Sequence, residues 1–220
     1  MMAIKGFVFD LDGVITDSAE YHYIAWKNLA AGLGIELDRA FNEQLKGISR
    51  MDSLNRILAY GNQSDMYDAA QKEALAQKKN DEYVKLIQQV TPADILPGIS
   101  ELFADLKAAG IRIALASASK NGPFILERLG LMAQVDTIVD PAELANGKPD
   151  PEIFLKAAEQ LNLAPAECVG VEDAEAGIEA INRAGMFSVG VGTKEAMKDA
   201  DYYVTSTQEL KLSEILRRAS

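Results

Sequence analysis

Three short apolar runs in the sequence end in residues that can do chemistry. Residues 4–9 lead to Asp10 and Asp12, residues 111–116 lead to Ser117, Ala118 and Ser119, and residues 168–171 lead to Glu172 and Asp173. Lys148 stands between the second and third runs, in Gly147-Lys148-Pro149-Asp150. Four carboxylates gathered at one place would repel and raise one another's pKa unless a cation sat among them. Oxygen donors without a His or Cys cluster suit Mg2+ better than zinc or copper, and Mg2+ takes a few carboxylates, waters and a substrate phosphate. A hydroxyl and an ammonium then complete a cradle for a phosphoryl group whose oxygens carry shifting charge. In such a site one carboxylate can attack phosphorus to give an aspartyl phosphate, and a second, two residues along, can protonate the leaving oxygen. Each piece has a plainer reading. Asp-x-Asp-Gly is often only a turn, Glu172-Asp173 before a helix complements its dipole, and a lone lysine or serine pair is usually solvated. Their joint placement behind successive strands favours the chemistry.

A parallel sheet is the element that brings such residues to one edge. Residues 4–9, 111–116, 135–139, 168–172, 187–191 and 202–204 read as near-continuous apolar strands, the mark of a sheet covered on both faces, and such sheets bind ligands at their carboxyl ends. Helices alternate with the later strands. Pro97 and Gly110 bracket residues 98–109, Asp150 as N-cap and Pro151 as first helical residue open 151–163, Gly185 stops 174–184, and 208–219 closes the chain. Residues 18–89 break the rhythm, with helical periodicity and no convincing strand. A helix over 19–31 ends at Gly32 and Gly34, one over 50–60 has Ser49 and Asp52 spaced as a capping box, and a long polar helix covers 64–89 with a break expected near Asn80. The pattern predicts a doubly wound, Rossmann-like parallel-sheet α/β core over 1–16 and 92–220, with a small α-helical cap domain inserted over 17–91.

Composition narrows the function classes. Lys and Arg total 22 against 33 Asp and Glu, a net charge of -11, which argues against nucleic acid and anionic membrane surfaces as partners. The single cysteine, Cys168, allows no intrachain disulfide and sits in an apolar run as a core residue would. No apolar run approaches the ~18 residues of a membrane span. Lys5, Asp10 and Asp12 are unlike a signal peptide. A soluble, cytoplasmic protein is expected.

Phe9-Asp10-Leu11-Asp12-Gly13-Val14-Ile15-Thr16-Asp17, Ala116-Ser117, Lys148-Pro149 and Gly170-Val171-Glu172-Asp173 resemble, in order, the four motifs of the haloacid dehalogenase superfamily of phosphotransferases. The chain is most similar there to the β-phosphoglucomutase family, through Asp17-Ser18-Ala19-Glu20-Tyr21-His22, Trp26, the loop Leu45-Lys46-Gly47-Ile48-Ser49-Arg50, Lys79-Asn80 and residues 116–123. The resemblance implies Asp10 as nucleophile and metal ligand, and Asp12 as general acid/base with its backbone carbonyl on the metal. It implies Glu172 and Asp173 as further ligands of one Mg2+ ion, and Ser117 and Lys148 holding the transferring phosphoryl group. Arg50 with Ser119 and Asn121 would grip the non-reacting phosphate; Ala118 lies in the same core motif. Lys46, Gly47, Ser53 and Lys79 would serve cap and sugar contacts, and His22 would set the catalytic aspartate. Trp26 is the more readily explained as packing, and His22 is equally explained as a hinge partner. Ser18 stands where the family often has Thr, either hydroxyl being able to bond Asp12, and Glu175 stands where it often has Gln. The implied activity is interconversion of β-D-glucose 1-phosphate and D-glucose 6-phosphate, with glucose 1,6-bisphosphate as intermediate and activator, by a monomer. A sugar-phosphate phosphatase is the nearer alternative; a receiver-like signalling module or a non-catalytic phosphosugar-binding protein is the remoter one.

Overall fold

The computed structural model describes residues 3–219, which fold as two compact units. One holds the N-terminal segment through Asp17 and everything from Val90 onward; the other is Ser18–Gln89. These junctions lie one to two residues from the expected 16/17 and 91/92. The two connecting segments are laced together within the first unit. Thr16 bridges Ile95 antiparallel, the Leu96 amide donates to the Ile15 carbonyl (2.9 Å), and the Thr16 hydroxyl donates to the Asp94 carbonyl (2.7 Å). Arg128 Nε donates to the Val90 carbonyl (3.1 Å), tying that residue to the same unit.

In the first unit, β1 (Gly6–Phe9), β2 (Arg112–Leu115), β3 (Thr137–Ile138), β4 (Cys168–Glu172), β5 (Phe187–Val191) and β6 (Tyr202–Val204) form a parallel sheet in the order β3-β2-β1-β4-β5-β6. Every residue of β1 and β4 is buried, which is why these strands are apolar throughout rather than alternating. The chain winds outward from β1 through β2 to β3, then returns to the other side of β1 for β4, β5 and β6. The strand order reverses at β1, the point at whose carboxyl ends sheets of this kind bind ligands. Phe9 is in register with Leu115 and Val171, and the ladder runs one step further: the Asp10 amide donates to the Val171 carbonyl (3.0 Å) and the Ala116 amide to the Phe9 carbonyl (2.8 Å). Asp10, Ser117 and Glu172 therefore leave three adjacent strands at nearly the same level.

The helical unit contains α1 (Ala19–Gly32), α2 (Arg39–Asn42), α3 (Arg50–Tyr60) and α4 (Ala69–Ile87), packed around Trp26, Leu29, Ala30, Ile35, Leu54, Ile57 and Leu58. At α3 the Ser49 hydroxyl accepts the Asp52 amide (3.1 Å) and donates to the Asp52 carboxylate (2.6 Å). The long polar helix starts five residues later than the expected 64, because Asp68 and Gln71 form a reciprocal capping box, and it runs unbroken through Asn80.

Around the sheet lie α5 (Ile99–Ala108), α6 (Gly122–Arg128), α7 (Glu152–Gln160), α8 (Glu175–Ala184) and α9 (Leu212–Ala219). On one face α7 and α8 cover Val8, Ala114 and Cys168 with Ile153, Phe154, Ile178 and Ile181. Phe7, Phe9 and Phe103 meet elsewhere in the same core. Several expected boundaries shift. Gly98 is the N-cap of α5 (φ +86°), so Pro97 precedes the cap rather than opening the helix. Pro151 occupies the N-cap of α7 while the Asp150 carboxylate still accepts the Glu152 amide (3.0 Å). The last stretch divides into a 3-10 turn, Thr207–Glu209, and α9. The third strand keeps only two residues at the sheet's edge, and α6 was not anticipated.

Candidate active site

At the head of β1 and β4 a single ammonium lies between two carboxylates. Lys148 Nζ donates to Asp10 Oδ1 (2.6 Å) and Glu172 Oε1 (2.8 Å), with Lys148 and Glu172 buried and Asp10 only 5% exposed. The Lys148–Pro149 peptide bond is cis. Burial pushes the Asp10 carboxyl up to about 6, with the Glu172 charge adding to the rise and Lys148 opposing it. Burial works against the Lys148 ammonium, but the two carboxylates together outweigh it and hold its pKa above the ordinary lysine value. Glu172 Oε2 accepts the backbone amides of Asp173 (2.6 Å) and Ala174 (2.9 Å). One oxygen from each of Asp10, Glu172 and Asp173 lies within 4.8 Å of the others. That set of hard oxygen donors, with no sulfur or imidazole, fits Mg2+.

Two glycines leave room for this arrangement. A Cβ on Gly13 (φ +74°) would lie 2.1 Å from Asp173 Oδ2, and one on Gly177 would lie 1.9 Å from Glu172 Oε1. The turn after β1 and the first turn of α8 must therefore lack side chains there for the two carboxylates to stand where they do. On the other side of β1, the buried Ser117 Oγ accepts the Ser119 amide (3.1 Å), and Ser119 Oγ accepts the Asn121 amide (3.3 Å). These turns place successive hydroxyls beyond β2, each keeping its proton to donate. Ala118 is half-buried between them. Asp12 is half-buried; the Gly13 amide next to it donates to the Thr16 carbonyl (2.8 Å). Glu175 is exposed in the first turn of α8.

The helical unit carries a second group of polar side chains. Lys79, only 2% exposed, places Nζ 2.6 Å from His22 Nδ1 and 4.7 Å from the ring centres of both Trp26 and Tyr83. An ammonium has only protons to offer, so Nδ1 is the acceptor and the neutral ring carries its proton on Nε2. The imidazole stacks on Tyr83 (3.8 Å between centres), whose hydroxyl donates to Ser18 Oγ (3.3 Å). At the start of α3, Arg50 Nη2 donates to Asn80 Oδ1 (2.8 Å). Lys46 pairs with Glu43 (2.8 Å), and Gly47 follows it in the same loop. The structure puts Trp26 and Ser53 inside the unit. Trp26 is in its apolar core, and the buried Ser53 hydroxyl donates to the Ser49 carbonyl one turn back (3.0 Å).

Residues 4–185 match a family described as haloacid dehalogenase-like hydrolase. The chain belongs to that family. It is 52% identical to Beta-phosphoglucomutase of Bacillus subtilis over 95% of this chain and 92% of that protein. It is 28% identical to the Phosphorylated carbohydrates phosphatase of Thermotoga maritima, over 83% and 82%. Its fold matches the crystal structure of β-phosphoglucomutase from Clostridium difficile with a TM-score of 0.97 and 51% identity, covering 98% of this chain and 97% of that one. Of the residues in the four motifs, the structure brings Asp10, Lys148, Glu172 and Asp173 together at the sheet edge. Tyr83, Asn80 and Gly177 escaped assignment. Tyr83 lies one turn from Lys79 on α4, a spacing that signals a shared face. Gly177 breaks an otherwise good helix former's run, and a glycine there costs about 1 kcal/mol relative to alanine, itself a sign of close approach.

The neutral imidazole has a consequence for pH. Burial first, then the charges of Lys79 and Arg50, hold the His22 pKa well below its ordinary value of 6.5. Below that value the unfolded chain binds a proton that the folded chain does not, so stability falls as pH falls through about 6.5, by at most about 1.4 kcal/mol per pH unit. His22 is the chain's one histidine. His22→Gln is expected to flatten this slope between about pH 6.5 and 5.5 in urea titrations; an unchanged slope would assign it to the carboxylates.

Proposed function

We propose that the chain interconverts β-D-glucose 1-phosphate and D-glucose 6-phosphate through an aspartyl phosphate on Asp10 and β-glucose 1,6-bisphosphate. The reading rests on one observation: the buried Asp10–Lys148–Glu172 arrangement at the head of β1 and β4 in a chain matching a β-phosphoglucomutase over 95% of its length. Asp10, Glu172 and Asp173, with the backbone carbonyl of Asp12, would hold Mg2+, which when bound supplies positive charge against the phosphoryl oxygens. The Asp10 carboxylate attacks phosphorus, the bond from phosphorus to the sugar oxygen breaks, and Asp12 gives that oxygen its proton. The reverse transfer, to the other sugar hydroxyl, returns the proton to Asp12. Lys148 and the Ser117 hydroxyl neutralise and orient the moving group.

In this reading the helical unit acts as a cap. Arg50, with Ser119 and Asn121, binds whichever phosphate is not reacting, and Lys46, Gly47, Ser53 and Lys79 serve the sugar side. His22 and Ser18 set Asp12, and Trp26 supports Lys79. A mutase needs that second anion site because its bisphosphate must be held in both orientations, and exclusion of water keeps the aspartyl phosphate from hydrolysis. The enzyme works as a cytoplasmic monomer on a small phosphosugar. Among the described residues no helix is long and apolar enough to cross a membrane.

The test supplies β-glucose 1-phosphate, Mg2+ and a trace of glucose 1,6-bisphosphate, and reads glucose 6-phosphate and free phosphate together. Glucose 6-phosphate in large excess, absent with the α-anomer, is expected. Phosphate without glucose 6-phosphate would make the protein a phosphatase. Arg50→Ala should reduce mutase kcat/KM by about 100-fold, the loss of roughly 3 kcal/mol of charged hydrogen bonding, while changing hydrolysis of acetyl phosphate little. Equal losses on both substrates would remove Arg50 from the distal phosphate.

A further inference from the structure

The loop that delivers Lys148 contains an asparagine followed by glycine, Asn146-Gly147, and both residues are exposed. The loop is held by Glu152, whose carboxylate accepts the amides of Ala145 (2.9 Å) and Asn146 (2.8 Å). Further along, the Asp150 amide donates to the Gly147 carbonyl (3.0 Å) and Arg183 Nη1 to the Pro149 carbonyl (3.0 Å). Two groups are left loose in this frame. Among the described residues, no acceptor takes the Gly147 amide. The Asn146 side-chain nitrogen reaches Glu152 Oε2 only at 3.5 Å. A peptide nitrogen without an acceptor, on a residue with no side chain to obstruct it, is the nucleophile that attacks a preceding asparagine.

We propose that Asn146 is a site of spontaneous deamidation, and that isoaspartate formed there inactivates the enzyme by displacing Lys148. The Gly147 nitrogen attacks Asn146 Cγ and a C–N bond forms. The Gly147 amide gives up its proton, and the side-chain nitrogen leaves as ammonia. Water then opens the cyclic imide. Opening at Cγ leaves aspartate; opening at the backbone carbonyl leaves isoaspartate, whose chain runs through Cβ and Cγ. Both products put a carboxylate beside Glu152, whose own carboxyl is held below its usual range by the Ala145 and Asn146 amides and so stays charged. Only isoaspartate also inserts a methylene into the backbone two residues before Lys148. Lys148 spans 2.6 and 2.8 Å contacts to two buried carboxylates, and a shift of about 1 Å at such a group costs about 100-fold in rate.

The effect on rate rests on the catalytic role proposed for Lys148; the modification itself does not. Purified enzyme is aged at mildly alkaline pH, with peptide mass, isoaspartate content and mutase turnover followed together. The peptide spanning Asn146 is expected to gain about 1 Da as NH2 is replaced by OH, and turnover to fall in proportion to isoaspartate, fully converted protein retaining about one-hundredth. Aged in parallel, Asn146→Ser should show no such gain and Gly147→Ala a much slower one, with turnover kept accordingly; the serine variant serves if the alanine one folds poorly. No mass gain at Asn146 in the unaltered chain would overturn the site. A gain without loss of turnover would overturn the link to Lys148. Fresh protein without mutase activity would instead defeat the functional reading and leave the mass result standing.

Discussion

Asp10→Asn is expected to remove turnover by at least about 10⁴-fold, some 5.4 kcal/mol of barrier at 1.36 kcal/mol per tenfold. Several losses coincide at one atom pair. An amide does not attack phosphorus, it is a poor Mg2+ ligand, and it removes the charge that faces Lys148 Nζ at 2.6 Å. The fold should survive, because Lys148 keeps its contact with Glu172 at 2.8 Å. The measurement is a rapid acid quench after mixing with glucose 1,6-bisphosphate, followed by mass analysis of the intact chain. The unaltered chain should carry a phosphoryl adduct and the variant none. An adduct on the variant, or turnover near normal, would place the nucleophile elsewhere.

Gly177→Ala should also be damaging, although the residue offers no side chain of its own. Its new Cβ would stand 1.9 Å from Glu172 Oε1 and 2.1 Å from Cδ. A surface carboxylate would swing aside. Glu172 is fully buried and is held by Lys148 Nζ and by the amides of Asp173 and Ala174, so it has no second position that keeps those bonds. Overpacking of this kind costs about 1–3 kcal/mol, and a chain of this size loses about 2–4 °C of Tm per kcal/mol. The sharper expectation concerns the metal: Mg2+ affinity should fall at least about tenfold and turnover about 100-fold, the range seen when groups supporting a metal ligand are lost. Titration of Mg2+ into the variant, checked for folding by circular dichroism, decides it. Unchanged affinity and rate would mean that Glu172 does not depend on the space Gly177 leaves.

The sheet-edge residues were legible because buried parallel strands are apolar throughout, so an acid or hydroxyl directly after one stands out. Asp10, Ser117 and Glu172 were all found that way. Lys148 lies on a loop whose path periodicity does not describe, and it was placed only by association with the others. The helical unit was harder. Lys78-Lys79-Asn80-Asp81 reads as a solvated charge run, yet Lys79 is buried against His22, Trp26 and Tyr83; the family resemblance, not the pattern, singled it out. The α6 helix, seven residues long, opens with Gly-Pro after a Ser-Lys-Asn turn and is too short to show a period. The edge strand β3 shrank to two residues because its neighbour β2 supplies the only ladder it has.

The lacing of Thr16 to Ile95 and of Leu96 to Ile15 makes the chain leave and re-enter the sheet unit through adjoining segments. A segment spliced between two paired ends hangs from what is, to the sheet, a closed doorway. Its length and content are then nearly free variables, since lengthening a loop whose ends are already joined adds little entropy. Recombination at this one seam can exchange the whole insert while every strand keeps its register.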